Sequence, residues 1–96
     1  MFRYRDTMPR TVSSIVALGA EIRAERQSRG LTQAELARRA GVSRAFVIDV
    51  ERGRRPGAEL SRAFAVVRAL GLAVALTPDD ESNFDDALDQ LLGEEP

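Results

Sequence analysis

Ninety-six residues make one domain at most, with a core modest enough to benefit from a second subunit. The chain has no cysteine and no histidine, which excludes disulfides and thiolate metal sites and removes the usual general base and metal ligand, so no catalytic residue, metal or cofactor is expected. Net charge is −1, but its distribution is uneven: residues 1–77 carry 14 arginines and 7 acids, whereas residues 78–96 carry 8 acids and no base, the pattern of a basic binding body with an acidic tail.

No apolar run is long enough to span a bilayer, and residues 2–9 are broken by three charges, unlike a signal peptide. A cytoplasmic location is therefore the expectation. Residues 1–12, MFRYRDTMPRTV, lack helical period and contain Pro9. They read as a flexible basic arm whose arginines seek phosphate or are simply solvated; the alternation of Phe2 and Tyr4 with Arg3 and Arg5 also permits a short strand, and Met8 an alternative start.

Residues 13–77 read as the folded unit. Ser13 or Ser14 caps a helix in which Leu18, Ile22 and Arg26 recur at four-residue spacing and which stops near Gly30. From Leu31 to Gly53 the chain reads LTQAELARRAGVSRAFVIDVERG. Thr32 is an N-cap with Glu35 as its capping-box partner, and Leu36, Ala37 and Ala40 form one apolar stripe. Gly41 follows, where a residue tolerating positive φ lets the chain turn sharply. Ser43 is a second N-cap, and Val47 and Val50 continue the stripe before Gly53 ends the helix. Helix, short turn and helix in this order is the helix-turn-helix, whose second helix lies in the major groove of DNA.

Pro56 and Gly57 mark a turn. Leu60, Phe64, Val67 and Leu70 then fall at four- and three-residue steps, predicting a packing helix over 59–70 that Gly71 ends. In LAVALT, residues 72–77, Leu72, Val74 and Leu76 alternate with alanines and predict a strand. A lone strand leaves its backbone groups unpaired. Its partner is either the same strand of a second copy, antiparallel across a dimer axis, or residues 2–5 of its own chain. Residues 78–96 form the acidic tail, in which Phe84, Leu88 and Leu91 outline a short amphipathic helix capped by Asn83, with Asp85 and Asp86 in its first turn. Too short to be stable alone, it is either disordered until it meets a partner or docked on its own domain.

The pattern TQAELARRAGVS followed by ERG resembles the Xre-type helix-turn-helix repressors, and SRAFVIDVERG with AELSRAFAVVRALGLAVAL resembles the HipB-like antitoxins among them. The resemblance covers roughly residues 18–77 and rests on the ordered set Gln33, Ala37, Gly41, Ser43, Glu51 and Gly53. It implies an all-α, lambda-repressor-like bundle of four to five helices with one C-terminal β-strand pairing across a homodimer. It implies an ion pair between Arg26 and Glu51, a phosphate clamp at Gln33 and Ser43, and a HipA-like kinase toxin as protein partner.

With Val47 at zero and about 100 degrees per residue, Val50 and Ser43 fall on one side while Ala45 and Asp49 point opposite. Arg44, Ala45, Phe46 and Asp49 are therefore the base-reading candidates. Arg44 can fork onto guanine O6 and N7, Ala45 and Phe46 can pack against a thymine methyl or sugar edge, and Asp49 can accept from cytosine N4 or exclude unwanted sequences. Ile48, on a flank, suits packing or a dimer contact. Arg52, Arg54 and Arg55 follow the helix and would reach the flanking phosphates. The expected function is sequence-specific repression at an inverted-repeat operator in double-stranded DNA, as an antitoxin or as a stand-alone repressor. The alternative from another class is a protein-interaction adaptor that has lost DNA binding.

Overall fold

The computed structural model describes residues 10–54, 57, 59–79 and 92. Within them lie four helices, α1 (Ile15–Ser28), α2 (Gln33–Ala40), α3 (Arg44–Glu51) and α4 (Leu60–Ala69). The expected arm strand, Arg55, Pro56 and the amphipathic stretch marked by Phe84, Leu88 and Leu91 lie outside the described residues.

Three helices begin where a short polar side chain satisfies an orphan N–H. The Ser14 hydroxyl accepts from the Ala17 N–H at 3.0 Å, and Ser43 does the same for Phe46 at 3.0 Å. At α2 the capping box is complete: Thr32 Oγ1 accepts from the Glu35 N–H at 3.0 Å while Glu35 Oε1 accepts from the Thr32 N–H at 2.8 Å. Those donors, the Thr32 backbone first and then its hydroxyl, hold the Glu35 carboxyl below the usual carboxylate range. Each such cap is worth about 1 kcal/mol. Gly41 ends α2 at φ +72°, a left-handed conformation that a side chain would strain.

α3 packs against α1 and α2, and α4 against α2. Their shared core is Ile22, Leu31, Leu36, Ala37, Phe46, Val47, Val50, Val66, Val67 and Leu70, with Leu18 and Ala40 partly buried beside it. The buried side of α4 differs from the expected stripe. Ala63, Val66, Val67 and Leu70 face inward, whereas Leu60 and Phe64 are 65% and 40% exposed. Val67 and Leu70 of the expected stripe are buried as expected, but the rest of the apolar face is wide enough that periodicity alone does not choose between Leu60 with Phe64 and Ala63 with Val66.

Gly19, inside α1, lies where α1 and α3 approach closely. A Cβ built there would lie 2.1 Å from the carbonyl oxygen of Val50 and 3.0 Å from that of Glu51, so the α1 and α3 backbones touch. Gly19→Ala is expected to push these helices apart at a cost of about 1–3 kcal/mol, more than the roughly 0.5–1 kcal/mol that alanine gains over glycine in a helix. A lowered urea midpoint checks this; an unchanged midpoint would contradict the contact.

Arg10, assigned from sequence to the arm, is tied to α1. It lies 2.9 Å from Glu21 and 3.1 Å from Glu25, which Arg29 also contacts at 2.8 Å. Burial alone would raise the Glu25 carboxyl, but hydrogen bonds from Arg29 and Arg10 and their charges outweigh it and hold the group below its ordinary value. Pairs this exposed add little stability; their effect is to direct the chain onto α1.

After α4 the Leu72 N–H donates to Val67 O at 3.1 Å, and Leu72 packs on the core. Residues 72–79 then run without helix or strand ladder among the described residues of the single chain. Val74 and Leu76, which with Leu72 mark the expected strand, are 55% and 99% exposed. No helix among the described residues is long and apolar enough to cross a membrane.

Candidate nucleic-acid interface

The second helix of the motif buries one arc and leaves the other open. Phe46, Val47 and Val50 face the core, while Ser43, Arg44 and Ala45 are exposed and Ile48 and Asp49 half-buried. Arg44 and Ala45 thus sit on the uncovered side at the helix start, where a groove-reading residue must be. Asp49 also engages in an interaction within the chain, and the carbonyl of the same residue accepts from the Arg54 N–H at 2.9 Å.

Phe46 does not belong to the reading surface. It is 1% exposed and is the largest of the fully buried side chains. Its place on the wheel, one step from Val47, is a flank, and a flank holding a phenyl ring turns inward because burying it is worth about 1.5–3 kcal/mol. The apolar arc is wide enough, over 100 degrees, to take Phe46 with both valines.

Beside the open arc lies a recess of about 650 Å³ lined by Arg23 of α1, Arg44 and Glu51 of α3, Arg52, and Thr32, Gln33 and Ala34 at the start of α2. Its floor is the Arg26–Glu51 ion pair. Arg26 Nε donates to Glu51 Oε2 at 2.6 Å and Nη2 to Oε1 at 3.1 Å, while Nη1 donates to the Leu31 carbonyl at 2.8 Å. The two side chains are only 11% and 2% exposed. Gln33 Nε2 also donates to Glu51 Oε1, at 3.1 Å. One carboxylate therefore joins α1, α2 and α3.

The two residues assigned to a phosphate clamp both carry structural bonds. Gln33 spends one amide hydrogen on Glu51 and retains the other; the Ser43 oxygen accepts from Phe46, which leaves its hydroxyl hydrogen to donate outward. Both residues stand where helix N-termini favour anions.

The arginines divide into two sets. Arg10, Arg26, Arg29 and Arg62 each have a carboxylate partner. Arg23, Arg38, Arg39, Arg44, Arg52, Arg54 and Arg68 have none within ion-pair distance among the described residues. Of the unpaired set, Arg23, Arg44 and Arg52 line the recess and Arg54 follows the end of α3, giving this side a field attractive to a polyanion.

Comparison with known proteins agrees with this geometry. The family model described as Helix-turn-helix matches residues 22–75, from the core isoleucine of α1 to the extended segment. The chain is 39% identical over 67 residues to the Immunity repressor protein of Bacillus phage phi105, covering 70% of this chain but 46% of that protein, so it spans about half the length of this relative. It is 31% identical over 74 residues to the uncharacterized HTH-type transcriptional regulator y4mF of Sinorhizobium fredii, covering 77% of this chain and 96% of the regulator. Among solved structures it resembles HipB in a complex with the O4 20mer, with a TM-score of 0.68 and 25% identity over 75% of this chain and all of the other. A chain of the HipA-HipB-O2-O3 complex gives a TM-score of 0.67 at 26% identity with the same coverage. By its capped helices, its glycine turn and the match over more than half its length, this chain belongs to the Xre-type helix-turn-helix family of DNA-binding transcriptional regulators.

Proposed function

We propose that this chain is a sequence-specific repressor that binds an inverted-repeat operator in double-stranded DNA as a homodimer, and that it serves as the antitoxin of a type II operon whose toxin is a HipA-like kinase. The observation that carries the DNA reading is the uncovered arc of α3 beside arginines left without carboxylate partners. The role is one of binding in the cytoplasm, without catalysis.

In this reading α3 enters the major groove, with Arg44 donating two hydrogen bonds to guanine O6 and N7. Ala45 meets a thymine methyl, and Asp49 faces cytosine N4 or repels other bases. Gln33 and Ser43 use their remaining hydrogens on phosphates, and Arg52, Arg54 and Arg55 reach the flanking strand. Two copies place their α3 helices about 34 Å apart, one turn of the duplex. The dimer forms through residues 72–76; Leu72 anchors this segment to the core, and the exposure of Val74 and Leu76 supports a partner strand from a second copy.

Arg44→Ala is expected to weaken specific binding by about 1–3 kcal/mol and relax one base position, whereas Arg54→Ala lowers affinity on all sequences and reduces the salt slope by about one. Mobility-shift titrations on the DNA upstream of the chain's own gene and on random duplex, at several salt concentrations, measure both. Equal losses for Arg44→Ala on the two DNAs would refute base reading by this residue, and absence of any shift in dilute buffer would refute the function.

The toxin partner is supported by the likeness to HipB, which is found with HipA in a solved complex. The 39% identity to a phage immunity repressor favours a second reading, a repressor with no toxin. Co-purification with the product of the neighbouring gene separates the two. An apolar ring on the reading surface would favour the adaptor alternative, but Phe46 is in the core.

A further inference from the structure

The segregation of charge along the chain has a counterpart in space. Arg23, Arg44 and Arg52 line one open recess and have no carboxylate partner among the described residues, while Arg26 on its floor is neutralised by Glu51. The first turn of α2 adds its partial positive charge to the same recess. All the surplus negative charge of the chain, 8 acids without a base, lies in residues 78–96.

We propose that this recess is a docking surface for the chain's own acidic C-terminal segment, whose carboxylates take the places that phosphates take when DNA is bound. Charge complementarity selects the occupant, and reach permits it. Beyond Asp79 the sequence continues for 17 residues, about 56 Å if extended at 3.3 Å each. The longest helix, α1, has 14 residues and spans only about 21 Å. The competing seat is the basic arm. Residues 11–13 and 75–79 line a second recess of about 540 Å³, so the arm and the acidic segment depart side by side. Arg10, however, is already neutralised by Glu21 and Glu25, which leaves the arm less positive than the α2–α3 recess.

The consequence for regulation rests on the DNA-binding function proposed above: the segment and the duplex compete for the same guanidinium groups. With a tethered segment at an effective concentration of about 1 mM and an intrinsic dissociation constant on the order of 0.1 mM, DNA affinity falls about tenfold. A basic partner that takes up the segment frees the recess for DNA.

The absence of cysteine allows one nitroxide spin label on the full chain carrying Ser82→Cys. In dilute buffer, paramagnetic broadening is expected at the amides of Gln33, Ala34 and Arg44, and it is expected to vanish in about 0.5 M salt, where electrostatic attraction is screened within a few ångströms. Broadening confined to residues 11–13 and 75–79, or none at the α2–α3 recess, overturns the docking. In parallel, the seven acids of residues 80–96 are replaced by their amides. Affinity for random duplex should rise about tenfold in dilute buffer and converge with the parent at high salt. A rise without recess broadening in the parent assigns the effect to long-range repulsion and overturns docking; broadening with affinity unchanged within twofold overturns the competition. If neither protein binds any duplex, the DNA-binding function fails, while the relaxation measurement still decides whether the segment docks.

Discussion

Phe46→Ala is expected to lower the unfolding free energy by about 3–5 kcal/mol, the cost of removing a buried aromatic ring and leaving a cavity. The ring is 1% exposed and shares the core with Ile22, Leu36, Val47, Val66 and Leu70, side chains from all four helices. A folded unit of about 60 residues has roughly 3–9 kcal/mol of stability at 0.05–0.15 kcal/mol per residue, so this single change removes a third or more of it. Phe46→Leu, which retains most of the volume, is expected to cost about 1 kcal/mol and to preserve DNA binding. Urea titrations followed by far-ultraviolet circular dichroism measure the stabilities. The character of the DNA defect also differs from that of Arg44→Ala: loss of the core ring weakens specific and random binding together by depleting folded protein. A variant at Phe46 that folds as the parent does but loses preference at one base pair would return this residue to the reading surface.

Phe46 also marks where one-dimensional reading stops. The caps at Ser14, Thr32 and Ser43 and the turn at Gly41 are legible because each depends on a few consecutive residues and on the local bonding of one hydroxyl or one backbone angle. Arg44 and Ala45 follow from the helical period and stand exposed as that period requires. A residue on the flank of the wheel, such as Phe46, and the rotation of α4 depend on which neighbouring helix comes closer, a property of the assembled bundle. Gly19 carried a usable signal, an isolated glycine inside a helical pattern, which commonly marks close packing; what it packs against, the Val50 carbonyl, lies in another helix. Gln33 shows the same limit in the site itself. Its position at the start of α2 follows from sequence, but its bond to Glu51 depends on the approach of α2 to α3. The segment 72–77 has the alternation of a strand and no ladder among the described residues of the single chain, because pairing needs a second edge.

Arg26→Ala is the other substitution expected to cost about 3–5 kcal/mol, since it strips the counter-ion from a buried carboxylate. Glu51 would keep only the Gln33 amide as a bonded partner in place of three donors, in a site where its side chain is 2% exposed. The comparison that separates stability from function is the double variant Arg26→Met with Glu51→Leu. Replacing both charges by apolar groups of similar volume is commonly neutral or stabilising, so its urea midpoint should recover most of the loss seen in Arg26→Ala. DNA affinity should not recover with it. In the parent, Glu51 holds α1, the start of α2 and the end of α3 in one register through directional bonds, and that register brings Gln33 and Arg44 to the lining of one recess. Leucine and methionine fill the space but fix no orientation between those helices. The expected outcome is therefore a folded protein whose affinity for duplex is reduced and whose Arg44-dependent base preference is blurred. Parent-like affinity in the stable double variant would mean that backbone packing at Gly19 and the α2–α3 turn suffices to aim the reading helix, and that the ion pair adds nothing beyond filling the core.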